Sequence, residues 1–507
     1  MIKTEKLSKQ VFNNINGEYV EQVGKRFKNA ILNTVLFRAE TDLHDNPISK
    51  KTVYVYLNKL EQTEGHIFIL SLPAEGGSVV YIVPTPDLIT PTISMENGIL
   101  SIKCGDYPVY RGTCRSGEEA ALCRSWYRTL YTPQKLVAMS NTWGDRGGRE
   151  VVTEQFVRRE IECAKQLGVD AVQVDDGWQN QAPNTYDEQG FRVFEGDFWD
   201  VQSAAFPSGI ESITPYAREH GVETGLWFAP HSRNDFERYD RDIAILRRAY
   251  REWGFRYFKL DMLQLNSISQ CKRAEEFFDE ILSFGTDVSV ELDVTYDRRL
   301  GYLASAPYGT LFVENRYSAW ANYYPHSTLR NLWRLAEFIP TSKLQFELLN
   351  PTRFTEKYET DDPLRPELYD IDYLFASVMV SNPLFWMEMQ HLPSQETERL
   401  SAIVSIWKKW RNELVNADVR PIGEEPSGCA LTGFAAETED AFHVILLREV
   451  TERNTFSLVI DADLESPALL ASNTDVDTHK EGNILTVTLS DSRAYAWLRL
   501  TRKIKSK

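Results

Sequence analysis

A chain of 507 residues is too long for one hydrophobic core and calls for two or three domains. Its formal net charge of −17 sets the surface against nucleic-acid phosphates and anionic membranes, leaving a neutral molecule as the simplest partner. No run approaches the ~18 apolar residues of a membrane span.

The first part, residues 1–130, reads as β-rich. KTVYVYLNKL, HIFILSLP, SVVYIVP and GILSIKC are short alternating or apolar runs separated by polar, Gly- and Pro-containing stretches, the pattern of an antiparallel sandwich. The helical stretch SGEEAALCRSWYRTLYTP leads onward. Over 131–412 the rhythm changes to apolar strands alternating with amphipathic helices. The strands read as KLVAMSNTW, DAVQVDDGW, VETGLWFAPH, RYFKLDML, DVSVELDVT, TLFVENRY, KLQFELLN and PLFWMEMQ. Eight strand–helix steps predict a (β/α)8 barrel, and no Gly-rich phosphate fingerprint follows the first strand to favour a doubly wound sheet. The long helix ETERLSAIVSIWKKWRNELV closes the series. Residues 413–507 return to short β segments, from CALTGFAA to AYAWLRL, and predict a small antiparallel C-terminal domain.

The N-terminus, MIKTEKLSKQVFNNINGEYV, has no apolar h-region, so a cytoplasmic location is expected, or a periplasmic or secreted one if a leader has been removed. The six cysteines form no CxxC pair and have no histidine cluster beside them, which argues for thiols rather than a zinc site. Cys104, Cys114 and Cys123 remain able to pair in an exported protein.

In a barrel of this kind, functional side chains come from the C-terminal ends of the strands. Here those ends are rich in carboxylates. Asp175 and Asp176 end the second strand, Lys259 and Asp261 the fourth, Glu291 and Asp293 the fifth, and Glu314 and Arg316 the sixth. Glu347 and Asn350 lie at the seventh and Glu388 at the eighth. One such carboxylate is most simply a helix cap, but a ring of them is costly through mutual repulsion unless it is used. Glycosyl transfer uses two carboxyl groups, one as nucleophile and one as acid, and further carboxylates accept hydrogen bonds from sugar hydroxyls.

VDDGWQ, GLWFAP and YFKLDM resemble the barrel motifs of glycoside hydrolase family 36 and its clan D of melibiase-type α-galactosidases. The order of sandwich, barrel and C-terminal β domain is also similar. The resemblance implies a retaining exo-hydrolase of terminal α-galactose-like sugars with Asp261 as nucleophile. It implies that Lys259, Asp175 and Asp176 bind sugar hydroxyls and that Trp143, Trp178, Trp227 and Arg316 contribute to substrate binding. It puts the general acid/base at Glu314, followed by Asn315; Asp293 and Asp297 are its rivals. Three departures bear on the substrate. The acid is Glu where the family has Asp, the family's CSSGGGR segment is replaced by LDVTYDRR, and Ala229, Pro230 and His231 follow GLWF, where the family often has Glu. A β-L-arabinopyranoside is therefore the alternative substrate, and an inactive carbohydrate-binding protein the alternative function.

Other chemistries compete for the same residues. Lys259 could form the Schiff base of an aldolase, but Asp261 lies two residues on, on the same face, and would keep the amine protonated. His231, His326 and His391 match no metal spacing, so neither metal nor cofactor is expected. The expected partner is an oligosaccharide or glycoside, with no nucleic acid and no membrane; a homo-oligomer stays open.

Overall fold

The computed structural model describes residues 8–9, 17–38, 47–56, 58–131, 133, 135–145, 148, 151–180, 197–294, 298–313, 316–319 and 322–503. Its centre is a closed ring of eight parallel strands: β1 (Met139–Asn141), β2 (Ala171–Val174), β3 (Glu223–Phe228), β4 (Tyr257–Leu260), β5 (Ser289–Asp293), β6 (Thr310–Phe312), β7 (Leu344–Leu348) and β8 (Asn382–Phe385). Each strand pairs with the next, and Met139 and Ser140 pair with Leu384 and Phe385 to close the ring. All eight strands coincide with the apolar runs read from the sequence.

Local chemistry sets the helices between them. Thr153 caps the helix Glu154–Leu167 by accepting from the Phe156 amide at 3.2 Å, and Gly168, at φ 79°, ends it. Ser267 caps Ile268–Leu282 in the same way, accepting from the Gln270 amide at 3.1 Å. Each cap is worth about 1 kcal/mol. Both helices bury one face against the barrel through Val157, Ile161 and Ala164, and through Ala274, Phe277 and Ile281.

Before the barrel stand two antiparallel sheets of six and four strands. The six-stranded sheet is covered on both faces. Phe68 and Leu70 of the strand Ile67–Leu72 enter the core of the sandwich, whereas Ile67 and Ile69 join the core that continues into the barrel. Burial on both sides is why HIFILSLP and SVVYIVP read as unbroken apolar runs. The helix Glu119–Leu130 packs on that outer face through Leu122, Cys123, Trp126 and Tyr127. After the barrel, the helix Ser394–Asn416 leads to a five-stranded and a three-stranded sheet. The strand Ala441–Arg448 splits its faces likewise: Val444 and Leu446 fill the terminal core, and Ile445 and Leu447 face the barrel. Among the described residues no helix is long and apolar enough to cross a membrane.

Candidate active site

The barrel interior is polar where it approaches its C-terminal mouth. Asn141 Nδ2 donates to Gln173 Oε1 and to Asp175 Oδ2, each at 2.6 Å, and Gln173 Nε2 donates to Glu291 Oε2 at 3.0 Å. Gly225 makes room for this chain, since a Cβ there would meet Gln173 Cγ and Tyr257 Cβ at 3.1 Å. Lys259, on the neighbouring strand, donates to Asp175 Oδ2 at 3.1 Å and lies 3.9 Å from Asp293 Oδ2. Its ammonium also sits over the rings of Phe312 and Trp386, at 4.9 and 5.1 Å from their centroids. Burial alone would favour the neutral amine, but Asp175, Asp261 and Asp293 outweigh it and raise the pKa above the ordinary lysine value. A protonated lysine is a poor Schiff-base nucleophile, which weighs against the aldolase chemistry.

Asp261 follows β4 and is held from four sides. Trp227 Nε1 donates to Oδ2 at 3.0 Å and the Met262 amide to Oδ1 at 2.5 Å, while Arg299 Nη2 lies 3.5 Å from Oδ1. Lys259 adds its charge. Burial pushes this carboxyl up, and the nearby charges and donors more than reverse that, holding it below the usual carboxylate range. Its side chain is 18% exposed, against 3% for Asp175 and 1% for Asp293. Asp175 itself is lifted above the ordinary range by burial despite Lys259 and Asn141. Asp176 accepts from Gln179 Nε2. Trp143, partly exposed, donates from its indole to the Tyr317 hydroxyl at 3.2 Å.

Asp175, Lys259, Asp261, Asp293 and Trp227 thus converge. Trp178, the further substrate contact implied by the resemblance, lies behind this group. Gly177, at φ 129°, turns the chain so that the Trp178 ring is fully buried, 5.7 Å from Trp199 and 5.8 Å from Trp253, with its N–H bonded to the Trp227 carbonyl. Arg316 is buried, and its backbone N–H donates to both carboxylate oxygens of Glu347, at 3.0 and 2.9 Å. Asn350 caps its own turn by accepting from the Thr352 amide, and Glu388 pairs with Arg353 at 3.3 Å and His391 at 2.9 Å. Glu314, Asn315 and Asp297 lie outside the described residues. His231 pairs with Glu237 and His391 with Glu388, and no group of three or more His, Cys, Asp or Glu among the described residues could hold a metal ion.

No family model matches the chain. It superposes on a variant of the α-galactosidase AgaA of Geobacillus stearothermophilus, in complex with 1-deoxygalactonojirimycin, with a TM-score of 0.67, 14% identity and coverage of 96% of this chain and 76% of that one. The α-galactosidase from Lactobacillus brevis gives a TM-score of 0.69 at 11% identity, over 97% and 75% of the two chains. The fold is that of the family 36 α-galactosidases. Sequence similarity is local. α-Galactosidase 2 of Pediococcus pentosaceus is 32% identical over 104 residues, which span 20% of this chain and 13% of that protein. α-Galactosidase Mel36A of Lactobacillus acidophilus is 30% identical over 77 residues, 15% and 10% of the two chains.

Two charged residues at this mouth escape a reading by strand ends. Arg299 lies in the LDVTYDRR stretch that ends β5 and follows it. Its adjacent arginines are plain in the sequence, but nothing in their spacing points to Asp261. Asp145, in NTWGD, accepts from Arg353 Nη1 at 2.8 Å, the Glu388 amide at 3.0 Å and the Ser318 hydroxyl at 3.1 Å. It thereby joins the segments that follow β1, β6, β7 and β8.

Proposed function

We propose that the chain is a retaining exo-glycoside hydrolase that releases a terminal α-galactose-like sugar through a covalent glycosyl-enzyme intermediate. The observation that carries this reading is the state of Asp261: an ionised carboxylate, partly open at the barrel mouth, with both oxygens already engaged by donors. A nucleophile needs that charge and that fixed direction before the substrate arrives. Lys259 and Asp175 supply a donor and an acceptor to ring hydroxyls, with Asp176 alongside, and Trp143 and Trp227 supply flat surface. Glu314 is assigned as the acid/base that protonates the leaving group and then activates water. Asp293 is the poorer choice because its carboxylate is buried against Lys259. Structures of AgaA variants in complex with raffinose and stachyose support an oligosaccharide substrate. The six free thiols are in keeping with a reducing compartment.

A panel of nitrophenyl glycosides tests the sugar. Turnover of the α-galactoside or the β-L-arabinopyranoside is expected, and hydrolysis confined to gluco- or manno-configured substrates overturns the assignment. A fluorinated or epoxide glycoside should label Asp261 in mass spectrometry, and Asp261→Asn should lower turnover by roughly three orders of magnitude or more without altering the melting transition. Label found on another carboxylate moves the nucleophile there.

A further inference from the structure

Among the groups that act on Asp261, Trp227 and Lys259 belong to barrel strands and Met262 is the next residue in the chain. Arg299 has a different origin. It lies on the segment after β5, and its 3.5 Å approach to Asp261 is at the outer limit of a hydrogen bond. A contact that long depends steeply on where its backbone sits. That backbone is held from outside the barrel. Asp87, beyond the sandwich strand Gly77–Ile82, donates its N–H to the Arg299 carbonyl at 3.2 Å, and its carboxylate accepts the Arg299 N–H. The same carboxylate occupies the space beside Gly301, which has φ +72°; a Cβ there would fall 2.2 Å from Asp87 Oδ1. On the other side the Arg298 carbonyl accepts from the Leu265 amide at 3.0 Å. The arginine segment is therefore clamped between the sandwich and the segment that follows the nucleophile.

We infer that Asp87 is a positioning residue, through which the N-terminal sandwich fixes Arg299 against the nucleophile of the barrel. The inference rests on Asp261 being the nucleophile of the proposed hydrolase. Docking two domains would require only a packed interface. It would not require a carboxylate seated on the backbone of the arginine that touches Asp261. Burial pushes the Asp87 carboxyl up to about 7, with the Arg299 N–H and charge opposing, and among the described residues it also faces the Cys271 thiol.

The test compares Asp87→Ala, Asp87→Asn, Arg299→Ala and the Asp87→Ala/Arg299→Ala pair on nitrophenyl α-galactoside. Asp87→Ala and Arg299→Ala should each lower kcat about tenfold or more, with KM changed less than about twofold. Asp87→Asn keeps an oxygen that can accept the Arg299 N–H and should retain most of the rate. The double variant should be no slower than the slower single variant, because both changes remove one contact. Losses that multiply, or a wild-type kcat in Asp87→Ala, overturn the inference. A second measurement needs no turnover. The carboxyl titration of Asp261, followed by NMR in aspartate-labelled protein, should move to higher pH in Asp87→Ala and in Arg299→Ala alike. An unmoved titration rejects the coupling. An inert wild-type protein that shows the shift rejects the hydrolase reading and supports the coupling.

Discussion

Lys259 sets the charge balance at the mouth of the barrel. It faces Asp175, Asp261 and Asp293, with Arg299 completing the positive side of Asp261. Asp261 is depressed below the usual carboxylate range, so with Asp261 as the nucleophile proposed above, the acidic limb of kcat/KM should lie below the ordinary carboxylate region. Lys259→Met removes the largest of the lowering influences. The limb should then move to higher pH, and kcat/KM at neutral pH should fall about tenfold or more through loss of the proposed donor to a sugar hydroxyl. A pH profile of the variant that overlays the wild-type one would dissociate Lys259 from Asp261. That Lys259 and Asp261 lie together was legible because strand alternation puts them on one face. Trp178 rested on the resemblance alone, and nothing in DDGW signals that its ring is buried behind Gly177. Arg299 was hidden for another reason: its position depends on Asp87, a partner from a different domain.

The eight strands of the barrel were legible from their apolar runs, since parallel strands covered by helices are buried on both sides. The sandwich is less plain in the sequence. The strand Ile31–Phe37 (ILNTVLF) alternates too weakly to stand out, although it pairs with both Ile48–Tyr54 and Ile67–Leu72. What sequence does not reveal is how a strand treats its interior polar residues. β5 carries Glu291 into the barrel, where burial pushes its carboxyl up to about 8 and Gln173 donates to it. The fold therefore holds a proton that the unfolded chain releases near pH ~4.3. Between that pH and about 8, the folded state binds more protons than the unfolded one, so this residue makes stability fall as pH rises. Glu291→Gln preserves the acceptor for Gln173 and removes the titration. Its melting temperature relative to wild type should increase progressively from pH 5 to pH 8 in calorimetry. A difference that does not vary with pH would mean that Glu291 is not the buried proton holder.

At the scale of the whole molecule, the two outer domains are tied to each other as well as to the barrel. Arg124, on the helix that leaves the sandwich, grips Asp418 at the start of the C-terminal sheet, Nε to Oδ1 at 2.7 Å and Nη2 to Oδ2 at 2.8 Å. Its Nη1 donates at 2.6 Å to the carbonyl of Glu337, which caps the barrel helix Pro325–Ala336. One turn on, Arg128 donates to the carbonyls of Asn416 and Ala417 at the end of the helix Ser394–Asn416. Such a junction joins residues far apart in the chain, and neither CRSWYR nor NADVR signals it. Arg124 is buried, whereas the Asp418 side chain is 44% exposed, so solvent screens part of the attraction. Arg124→Met should cost about 1–3 kcal/mol at neutral pH, most of it from the orphaned Glu337 carbonyl and the lost bidentate pair. The pH dependence separates the two. Burial works to raise the Asp418 carboxyl, but the Arg124 hydrogen bonds and charge prevail and hold it below its ordinary value. A depressed carboxyl contributes stability that is present above its unfolded pKa and lost as pH falls through the folded one. The gap between wild type and Arg124→Met should therefore narrow as the pH is lowered toward ~3, below the ordinary Asp value, leaving the contribution of the carbonyl and the packing. A gap of constant size across that range would assign the whole effect to Glu337 and packing, and none to the ion pair between the domains.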